Sequence, residues 1–407
     1  MTCRFCGASL TQTMIDLGSA PPSNAYLTEV ALLRPEPWYP LRVMVCHGCW
    51  LVQVAATETP PELFDEHYAY FSSTSTSWLA HAARFAANAI DRLALTTRSR
   101  VMEVASNDGY LLRHFAEAGI PVLGVEPTAS TAAAAERLGI PVLREFFNTT
   151  LARRLVADGY RADLVVANNV MAHVPDIADF ARALQMVLAP MGCVSVEFPH
   201  LLELLRYNQF DTVYHEHYSY LSLETTADIL AGAGLQVRDV ELLPTHGGSL
   251  RVWAMHAEAP GAVSEHVGAV IAAERAGGLR SADTYAALQA KAEAVKDDLL
   301  LYLISQKRQG RRVAGYGAAA KGNTLLNFAG VRPDLLPYVC DASPSKQGKF
   351  LPGSRIPIYP PERLSEDRPD VVLVLPWNLL EEVRCFVRST LPEAALVVGV
   401  PALREAE

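Results

Sequence analysis

The stretch Val101–Tyr110, VMEVASNDGY, decides the fold of this chain. An apolar strand ends in Glu103 and gives way to a turn of small and polar residues, with a helix predicted to begin at Tyr110. An α/β domain uses such a turn to bring backbone amides and a carboxylate up to a nucleoside ligand. The segment therefore predicts a strand, turn and helix that bind a ligand.

A second apolar strand with an acidic end follows about twenty residues later. In PVLGVEP, residues 121–127, Glu126 is placed to accept hydrogen bonds from both hydroxyls of a ribose. The turn lacks the G-x-G-x-x-G pattern of dinucleotide enzymes, and Asp108 would repel a pyrophosphate but suits the ammonium of S-adenosylmethionine. Its small positions are Ala105, Asn107 and Gly109. The two strand-end acids indicate an adenosyl cofactor, although such a turn with one glycine is equally typical of plain scaffold.

Four of the seven cysteines form two C-x-x-C pairs, Cys3/Cys6 and Cys46/Cys49. Two such knuckles supply the four thiolates of a tetrahedral Zn²⁺ site. Because sulfur fills every position, the metal is expected to be structural rather than catalytic. Free thiols or a redox pair are the alternative, but they do not explain why there are two pairs.

The strand and helix signals divide the chain into three parts. Apolar strands at 101–105, 121–126, 163–168 and 193–198 alternate with helices and predict a doubly wound, mostly parallel sheet. The alanine-rich residues 258–308 are predicted to be helical. A second α/β unit follows, with a glycine-containing turn, GYGAAAKGNT, and a strand ending in Asp341. We expect domains at 1–70, 71–256 and 257–407.

Composition limits the partners and the location of the protein. The 407 residues carry a formal net charge of -9, which argues against nucleic acid as a partner. No apolar run approaches the ~18 residues that cross a bilayer, and the N-terminus has no signal pattern. A cytoplasmic enzyme without membrane contact is the expectation, and its oligomeric state is left open.

Five motifs in this order resemble the deoxysugar C-methyltransferases, which methylate a ring carbon of nucleotide-linked keto sugars. They are the paired C-x-x-C module, EVASNDG with its following VEP, YHEHYSY, HGGSLR at His246–Arg251, and GYGAAAKG. The resemblance implies an α/β chain with a small zinc-binding module, a central doubly wound S-adenosylmethionine methyltransferase domain and a C-terminal Rossmann-like domain. The last would hold the sugar nucleotide, expected to be a thymidine diphosphate keto sugar.

The ligand contacts follow from the two turns and the resemblance together. Residues expected to bind the methyl donor are Glu103, Ser106, Asn107, Gly109, Tyr110, Glu126, Pro127, Asn168 and Asn169. Residues expected to bind the sugar nucleotide are Tyr70, Glu216, His217, Gly317, Ala318 and Lys321. Backbone amides at the C-terminal turn would meet the diphosphate, and Lys321 would add a charge. Asp341 stands where a dinucleotide enzyme binds ribose, so the pattern alone leaves NAD open there.

Carbon methylation requires a carbanion equivalent, which a base creates by removing the proton α to a ketone. The enolate oxygen is stabilised by hydrogen-bond donors, and the enolate carbon then takes the methyl group in line. The resemblance implies His217 as the base and Glu216 as the sugar-contacting or orienting acid. On a helix, His217 would share a face with Tyr214 and Tyr220, with His215 as the alternative base. Further residues expected around the sugar or enolate are Tyr70, His173 and Asn169.

Two other classes of function stay open at this point. An NAD-dependent sugar-nucleotide oxidoreductase or epimerase could use the C-terminal unit, but the chain shows no evident Tyr-x-x-x-Lys pair. A zinc-stapled interaction protein without catalysis would leave the cluster of acid, imidazole and phenol groups in YHEHYSY unexplained.

Overall fold

A computed structural model describes residues 1–55 and 71–406 and contains three β-sheets in these ranges. The N-terminal sheet is antiparallel. In spatial order its strands are Gln12–Ala20, Tyr39–Val45, Val52–Val54 and Ser219–Tyr220. The fourth strand comes from the YHEHYSY region, so the predicted catalytic segment is anchored to the cysteine module.

The central sheet forms because strands such as Val101–Val104 and Val122–Val125 are short apolar runs that helices cover on both faces. Its strands in spatial order are Leu235–Leu243, Ser249–His256, Leu188–Pro199, Ala162–Asn168, Val101–Val104, Val122–Val125 and Val142–Leu143. Strand Ser249–His256 pairs antiparallel with both of its neighbours and the other pairs are parallel, which confirms the mostly parallel sheet. Its helices are Thr76–Arg92, Leu112–Glu117, Ala129–Arg137, Thr149–Ala157, Ile177–Val187, Leu201–Arg206 and Leu223–Gly232.

The strand order places a switch point between Val101–Val104 and Ala162–Asn168. After strand Val101–Val104 the chain adds strands toward one edge of the sheet. It then returns to form strand Ala162–Asn168 on the other side of Val101–Val104. A crevice opens beyond the carboxyl ends of parallel strands at such a point, and ligands bind there. The strand-end acids and the paired asparagines therefore share one crevice.

Two helices, Glu265–Ala276 and Ala282–Arg308, lead into the C-terminal unit, as the alanine-rich composition predicts. The third sheet runs in the spatial order Ile358–Tyr359, Val339–Cys340, Val313–Tyr316, Val371–Val374, Ala395–Val398 and Arg404–Ala406. Its helices are Ala320–Ala329, Arg363–Asp367 and Leu380–Thr390. The long connecting helix also packs on the N-terminal sheet, where the side chain of Gln289 accepts from the amide of Asp16 at 2.8 Å.

Two local expectations differ from the structure. The helix expected from Tyr110 begins at Leu112, because Gly109 has a φ of 80° and residues up to 111 remain in the turn. The YHEHY segment is a turn rather than a helix.

Among the helices in the described ranges, none is long and apolar enough to cross a membrane.

Candidate active site

The four N-terminal cysteines come together in one cluster. The Sγ atoms of Cys3, Cys6, Cys46 and Cys49 all lie within 4.8 Å of one another, and the pairs Cys3–Cys49 and Cys6–Cys46 are 3.6 and 3.4 Å apart. Four sulfurs at ~2.3 Å from one tetrahedral zinc have similar separations. The buried side-chain amide of Gln53 also donates to Cys3 Sγ at 3.2 Å. Groups around a metal site commonly hold its ligands by such hydrogen bonds. The residues fit a closed structural Zn²⁺ site.

The turn after strand Val101–Val104 holds non-glycine residues in a left-handed conformation. Ala105 and Asn107 have φ values of 56° and 49°, which side chains rarely adopt. Gly109 has a φ of 80°, which other residues rarely adopt, and a Cβ there would lie 2.5 Å from Ile140 Cδ1, so this position favours glycine. Backbone strain of this kind concentrates at ligand sites.

The serine-rich run before the first central helix packs onto this turn. The amide of Ser72 donates to Asn107 Oδ1 at 2.9 Å, and the amide of Ser73 donates to Asp108 Oδ2 at 3.1 Å. The run is therefore packed against the turn.

Three buried carboxyl groups surround the turn: Glu103, Asp108 and Glu126. Burial raises the pKa of Glu103 well above its ordinary range, and the charges of Asp108 and Glu126 raise it further. A cationic ligand would stabilise the ionised form of Glu103, because a nearby positive charge favours a carboxylate. The crevice thus favours a ligand with positive charge.

Several buried oxygen atoms in the crevice have no hydrogen-bond partner within residues 1–55 and 71–406. They are Glu103 Oε2, Ser106 Oγ, Asp108 Oδ1, Asn168 Oδ1 and Asn169 Oδ1. Buried polar atoms in native proteins are almost always paired, so this group marks the place of a donor-rich ligand. S-adenosylmethionine offers an ammonium, two ribose hydroxyls and an adenine amine, and the residues present fit it.

Glu126 accepts two backbone hydrogen bonds from the turns around it. Its Oε2 accepts from the amide of Asn107 at 3.0 Å, and its Oε1 accepts from the amide of Thr128 at 2.8 Å. Each carboxylate oxygen has a second lone pair, so both ribose hydroxyls can still donate to it. Pro127, next in the chain, is partly exposed.

We expect Glu126→Ala to weaken S-adenosylmethionine binding by about 1.5–3 kcal/mol, because hydrogen bonds to a charged acceptor are lost. This corresponds to a roughly 10–150-fold higher Kd, measured by isothermal titration calorimetry. Glu136→Ala is the matched control, since Glu136 is an exposed acid paired with Arg144 at 2.6 Å. Unchanged affinity in the Glu126 variant would contradict the ribose assignment.

The chain after strand Ala162–Asn168 leads from the crevice to a group of histidine side chains. Asn169 follows strand Ala162–Asn168 with a φ of 52°, and its amide donates to the carbonyl of Glu197 at 2.7 Å. The short 3₁₀ turn Met171–His173 comes next. His173 therefore lies where the cofactor crevice meets the YHEHY segment.

His217 lies at the centre of a group of aromatic rings. Its ring centroid is 3.9 Å from that of Tyr214, 4.7 Å from His173 and 6.0 Å from Tyr220. Its Nδ1 lies 2.8 Å from the carbonyl oxygen of Thr212. Because a carbonyl only accepts, Nδ1 carries the proton and Nε2 carries the lone pair. Within the described ranges Nε2 makes no hydrogen bond.

The surroundings of His217 keep it neutral. Burial lowers the pKa of its imidazole well below the ordinary value, and the neighbouring His173, Lys321 and His246 side chains lower it further. Burial also lowers the pKa of His173 to about 4. At neutral pH the Nε2 lone pair of His217 is therefore available to take a proton.

The YHEHY turn separates its two histidines. The amide of His217 donates to the carbonyl of Tyr214 at 3.0 Å, which closes a turn in place of the helix considered from the sequence. The expected grouping of His217 with Tyr214 and Tyr220 still arises, because the following strand folds back. His215 faces the N-terminal sheet, and its Nε2 lies 3.2 Å from the carbonyl of Tyr39.

Glu216 is held by a residue that sequence reasoning missed. Asn24 Nδ2 donates to both carboxylate oxygens, at 3.0 and 2.7 Å. Burial raises the pKa of Glu216 to about 7, and the donors of Asn24 oppose this rise. The two residues are 192 positions apart in the chain, and no local pattern around Asn24 connects them.

Lys321 lies at the junction of the central and C-terminal domains. Its ammonium is 4.5 Å from the ring centroid of Trp377 and 3.2 Å from Asn378 Oδ1. The indole of Trp377 donates to Asp211 Oδ2 at 2.7 Å, and Asp211 is fully buried. Burial lowers the pKa of Lys321 to about 8, and Asp211 opposes the shift. Asp211 and Trp377 were not found from the sequence.

The C-terminal turn is shaped by protein contacts. Gly317 has a φ of 89°, and a Cβ there would lie 2.4 Å from Pro376 Cδ, so glycine is required. The amide of Ala318 donates to Asp341 Oδ2 at 2.7 Å, and Lys346 lies 3.3 Å from the same oxygen. The Asp341 carboxylate, which a dinucleotide enzyme would turn to a ribose, is thus engaged with the turn itself.

The HGGSLR motif forms another side of the same region. His246 has a φ of 55° and its ring centroid lies 5.2 Å from that of Trp78. Trp78 also stacks on His81 at 4.9 Å and lies 6.1 Å from Tyr110. Through Trp78 the motif is thereby connected to Tyr110, which follows the turn after strand Val101–Val104. Tyr70, predicted at this site, lies outside the described residues.

Comparisons with known proteins assign the chain to methyl transfer. A family model for a methyltransferase domain matches residues 78–240, one for a zinc-binding domain matches 3–64, and one for a C-methyltransferase C-terminal domain matches 244–401. The C-methyltransferase NovU of Streptomyces niveus is 35% identical over 381 residues, which are 94% of this chain and 90% of that protein.

Solved structures of methyltransferases resemble part of the chain. The magnesium protoporphyrin IX methyltransferase of Synechocystis, with bound SAH, is 15% identical with a TM-score of 0.36 and covers 44% of this chain and 83% of its own. A methyltransferase of Mesorhizobium loti is 17% identical with a TM-score of 0.35, at 43% and 99% coverage.

Proposed function

We propose a substrate and a mechanism for this chain, which belongs to the S-adenosylmethionine-dependent C-methyltransferases that carry an N-terminal zinc-binding domain. The substrate we propose is a nucleotide-diphosphate-linked keto-deoxysugar, with thymidine diphosphate as the expected nucleotide. Methylation would occur at the ring carbon next to the ketone.

The observation that carries this proposal is the state of His217. A neutral imidazole whose Nδ1–H is held by the Thr212 carbonyl carries its lone pair on Nε2, where it can act as a base. Carbon methylation next to a ketone requires such a base, whereas methylation of an oxygen or nitrogen nucleophile demands less of one. The base thus supports a carbon acid as the substrate.

In the proposed reaction, His217 Nε2 takes the proton from the carbon α to the ketone, and the C–H electrons form the enolate. Hydrogen-bond donors then stabilise the negative charge on the enolate oxygen. The polar side chains proposed to surround the enolate are Asn169 and the two rings next to His217, those of Tyr214 and His173. S-adenosylmethionine, when bound, supplies the electrophilic methyl group that the enolate carbon accepts. Glu216 would hold a sugar hydroxyl or amino group so that the reacting carbon faces His217.

The C-terminal turn and its helix would hold the diphosphate. Helix Ala320–Ala329 starts directly after the turn, and the amides of its first turn have no partners within the helix. Gly317 and Ala318 shape the approach to these amides, and Lys321 adds a positive charge. The junction between the domains would therefore place the sugar next to His217.

Product analysis tests the proposed function. Protein supplied with S-adenosylmethionine would be incubated with thymidine-, guanosine- and cytidine-diphosphate keto sugars, and products would be identified by mass spectrometry and NMR. We expect one methyl group on the ring carbon adjacent to the ketone of the thymidine diphosphate substrate. Methylation only on oxygen or nitrogen, or of no sugar nucleotide, would refute the proposal.

We expect Lys321→Ala to weaken binding of the sugar nucleotide by roughly 10–150-fold, the effect of losing a charged hydrogen-bond donor worth about 1.5–3 kcal/mol. Affinity for S-adenosylmethionine should stay unchanged. Parent affinity for the sugar nucleotide should also fall as pH rises through about 8, where Lys321 loses its proton. Lys307→Ala is the matched control, because Lys307 is an exposed lysine paired with Asp334. Loss of methyl-donor binding in the Lys321 variant would overturn this assignment.

A further inference from the structure

A loop of the zinc-binding module, residues 21–27, inserts between the two larger domains. Its Ser23 carbonyl accepts a hydrogen bond from Asn323 Nδ2 at 2.6 Å. The Tyr26 hydroxyl donates to the carbonyl of Ala318 at 2.6 Å, on the C-terminal turn. The loop is thus held on the C-terminal domain at two points on either side of Asn24.

Asn24 reaches from this loop to the YHEHY turn. Its amide nitrogen lies 3.0 and 2.7 Å from the two carboxylate oxygens of Glu216, and Glu216 is only 2% exposed. The Tyr26 hydroxyl lies 3.4 Å from Asn24 Oδ1, on the opposite end of the amide. The amide therefore points its nitrogen at the carboxylate.

We propose that Asn24 is a positioning residue of the active site, which fixes the carboxylate of Glu216, the chain neighbour of His217, and favours its ionised form. The inference rests on the proposed function for the role of Glu216 as a sugar contact. A carboxylate can accept hydrogen bonds from a sugar hydroxyl or ammonium with either oxygen, whereas a protonated acid loses that symmetry and its charge. The zinc-binding module thereby contributes to catalysis through one side chain.

The charge balance at Glu216 explains why it needs this donor. Burial favours the protonated acid, and the N–H groups of Asn24 favour the carboxylate, which leaves the pKa of Glu216 at about 7. The ionisable side chains around it are Tyr26 and Lys346 on the loop side, His173 on the central side, and its chain neighbours His215 and His217. Burial keeps the three imidazoles and Tyr26 neutral near pH 7, so Glu216 is the group of this set that titrates there.

The test is Asn24→Asp, which keeps the size of the side chain and replaces two N–H donors with a second carboxyl group. We expect the acid limb of the pH profile of kcat/KM to move up by roughly 1–3 pH units. Activity at pH 7 should fall roughly 10-fold or more and recover in part at higher pH. Zinc content and affinity for S-adenosylmethionine should equal those of the parent. Asn24→Ala, which removes the donors without adding charge, should shift the limb in the same direction.

Asn148→Asp is the matched control. Asn148 caps helix Thr149–Ala157 through its side-chain oxygen, which accepts from the amide of Thr150, and aspartate caps a helix equally well. The same chemical change there should leave the pH profile unmoved.

A readout without turnover separates this inference from the proposed function. Carbon-13 NMR of protein labelled at glutamate side-chain carboxyls follows the titration of Glu216, with Glu216→Gln identifying its resonance. A higher titration midpoint in both Asn24 variants supports the inference, and a midpoint equal to the parent's overturns it. If the parent methylates no sugar nucleotide, the proposed function fails, while the NMR result still decides the role of Asn24.

Discussion

Replacing His217 with asparagine is expected to give a folded protein that binds both ligands and methylates about 10²–10⁴-fold more slowly than the parent. Asparagine keeps a donor for the Thr212 carbonyl and approximates the size of the ring, but it has no basic nitrogen. The loss should appear in kcat, because the base acts on the proton after substrate has bound. Single-turnover methylation followed by mass spectrometry measures it.

The proton-transfer step can be observed separately from methyl transfer. In deuterated water, without a reactive methyl donor, the parent should exchange the ring hydrogen next to the ketone, and His217→Asn should not. His215→Asn is the matched control, because His215 faces Tyr39 and the N-terminal sheet rather than the domain junction. Near-parental methylation by the His217 variant would direct the search for the base to His215, His173 or Tyr70.

The parts of the site that the sequence predicted lie within single short segments. Glu103 and Glu126 end apolar runs of strand length, and the carboxyl ends of neighbouring parallel strands necessarily meet. The cysteine cluster likewise follows from two C-x-x-C knuckles. In each case the local pattern and the fold impose the same geometry.

The parts that the sequence did not reveal depend on contacts between distant segments. Strand Ser219–Tyr220 joins the N-terminal sheet with only two residues, too short to show an alternating pattern. Asn24 of the zinc-binding module donates a hydrogen bond to Glu216 of the central domain. Asp211 accepts a hydrogen bond from the indole N–H of Trp377, which belongs to the C-terminal domain. A single sequence contains no signal for such pairs, since neither partner constrains the backbone of its own segment.

The YHEHY turn shows how a correct grouping can have a different cause. On a helix, His217 and Tyr214 would meet through a spacing of three residues. In the structure they meet because a hydrogen-bonded turn at Tyr214 and the pairing of Ser219–Tyr220 with Val52–Val54 fold the segment onto itself. The strand of the zinc-binding module therefore sets the position of His217.

Because the position of His217 depends on the zinc-binding module, removing zinc is expected to have a large effect on methylation. Purified protein should contain one equivalent of zinc, and Cys46→Ser or prolonged chelation should unfold the N-terminal module. Structural zinc contributes about 10–16 kcal/mol in zinc-finger peptides, more than a small module gains from its own core. Cys385→Ser is the matched control, because Cys385 is an exposed thiol outside the cluster.

A zinc site that only stabilised its own module would leave methylation intact once the module had unfolded, whereas this structure predicts that methylation is lost. Unfolding removes strand Val52–Val54 from Ser219–Tyr220 and Asn24 from Glu216. Affinity for S-adenosylmethionine should change little, because the acids of its crevice belong to the central sheet. Zinc-free fresh protein, or a Cys46 variant with parental stability, would refute the metal site. A zinc-depleted protein that methylates normally would instead show that the module and the base are independent.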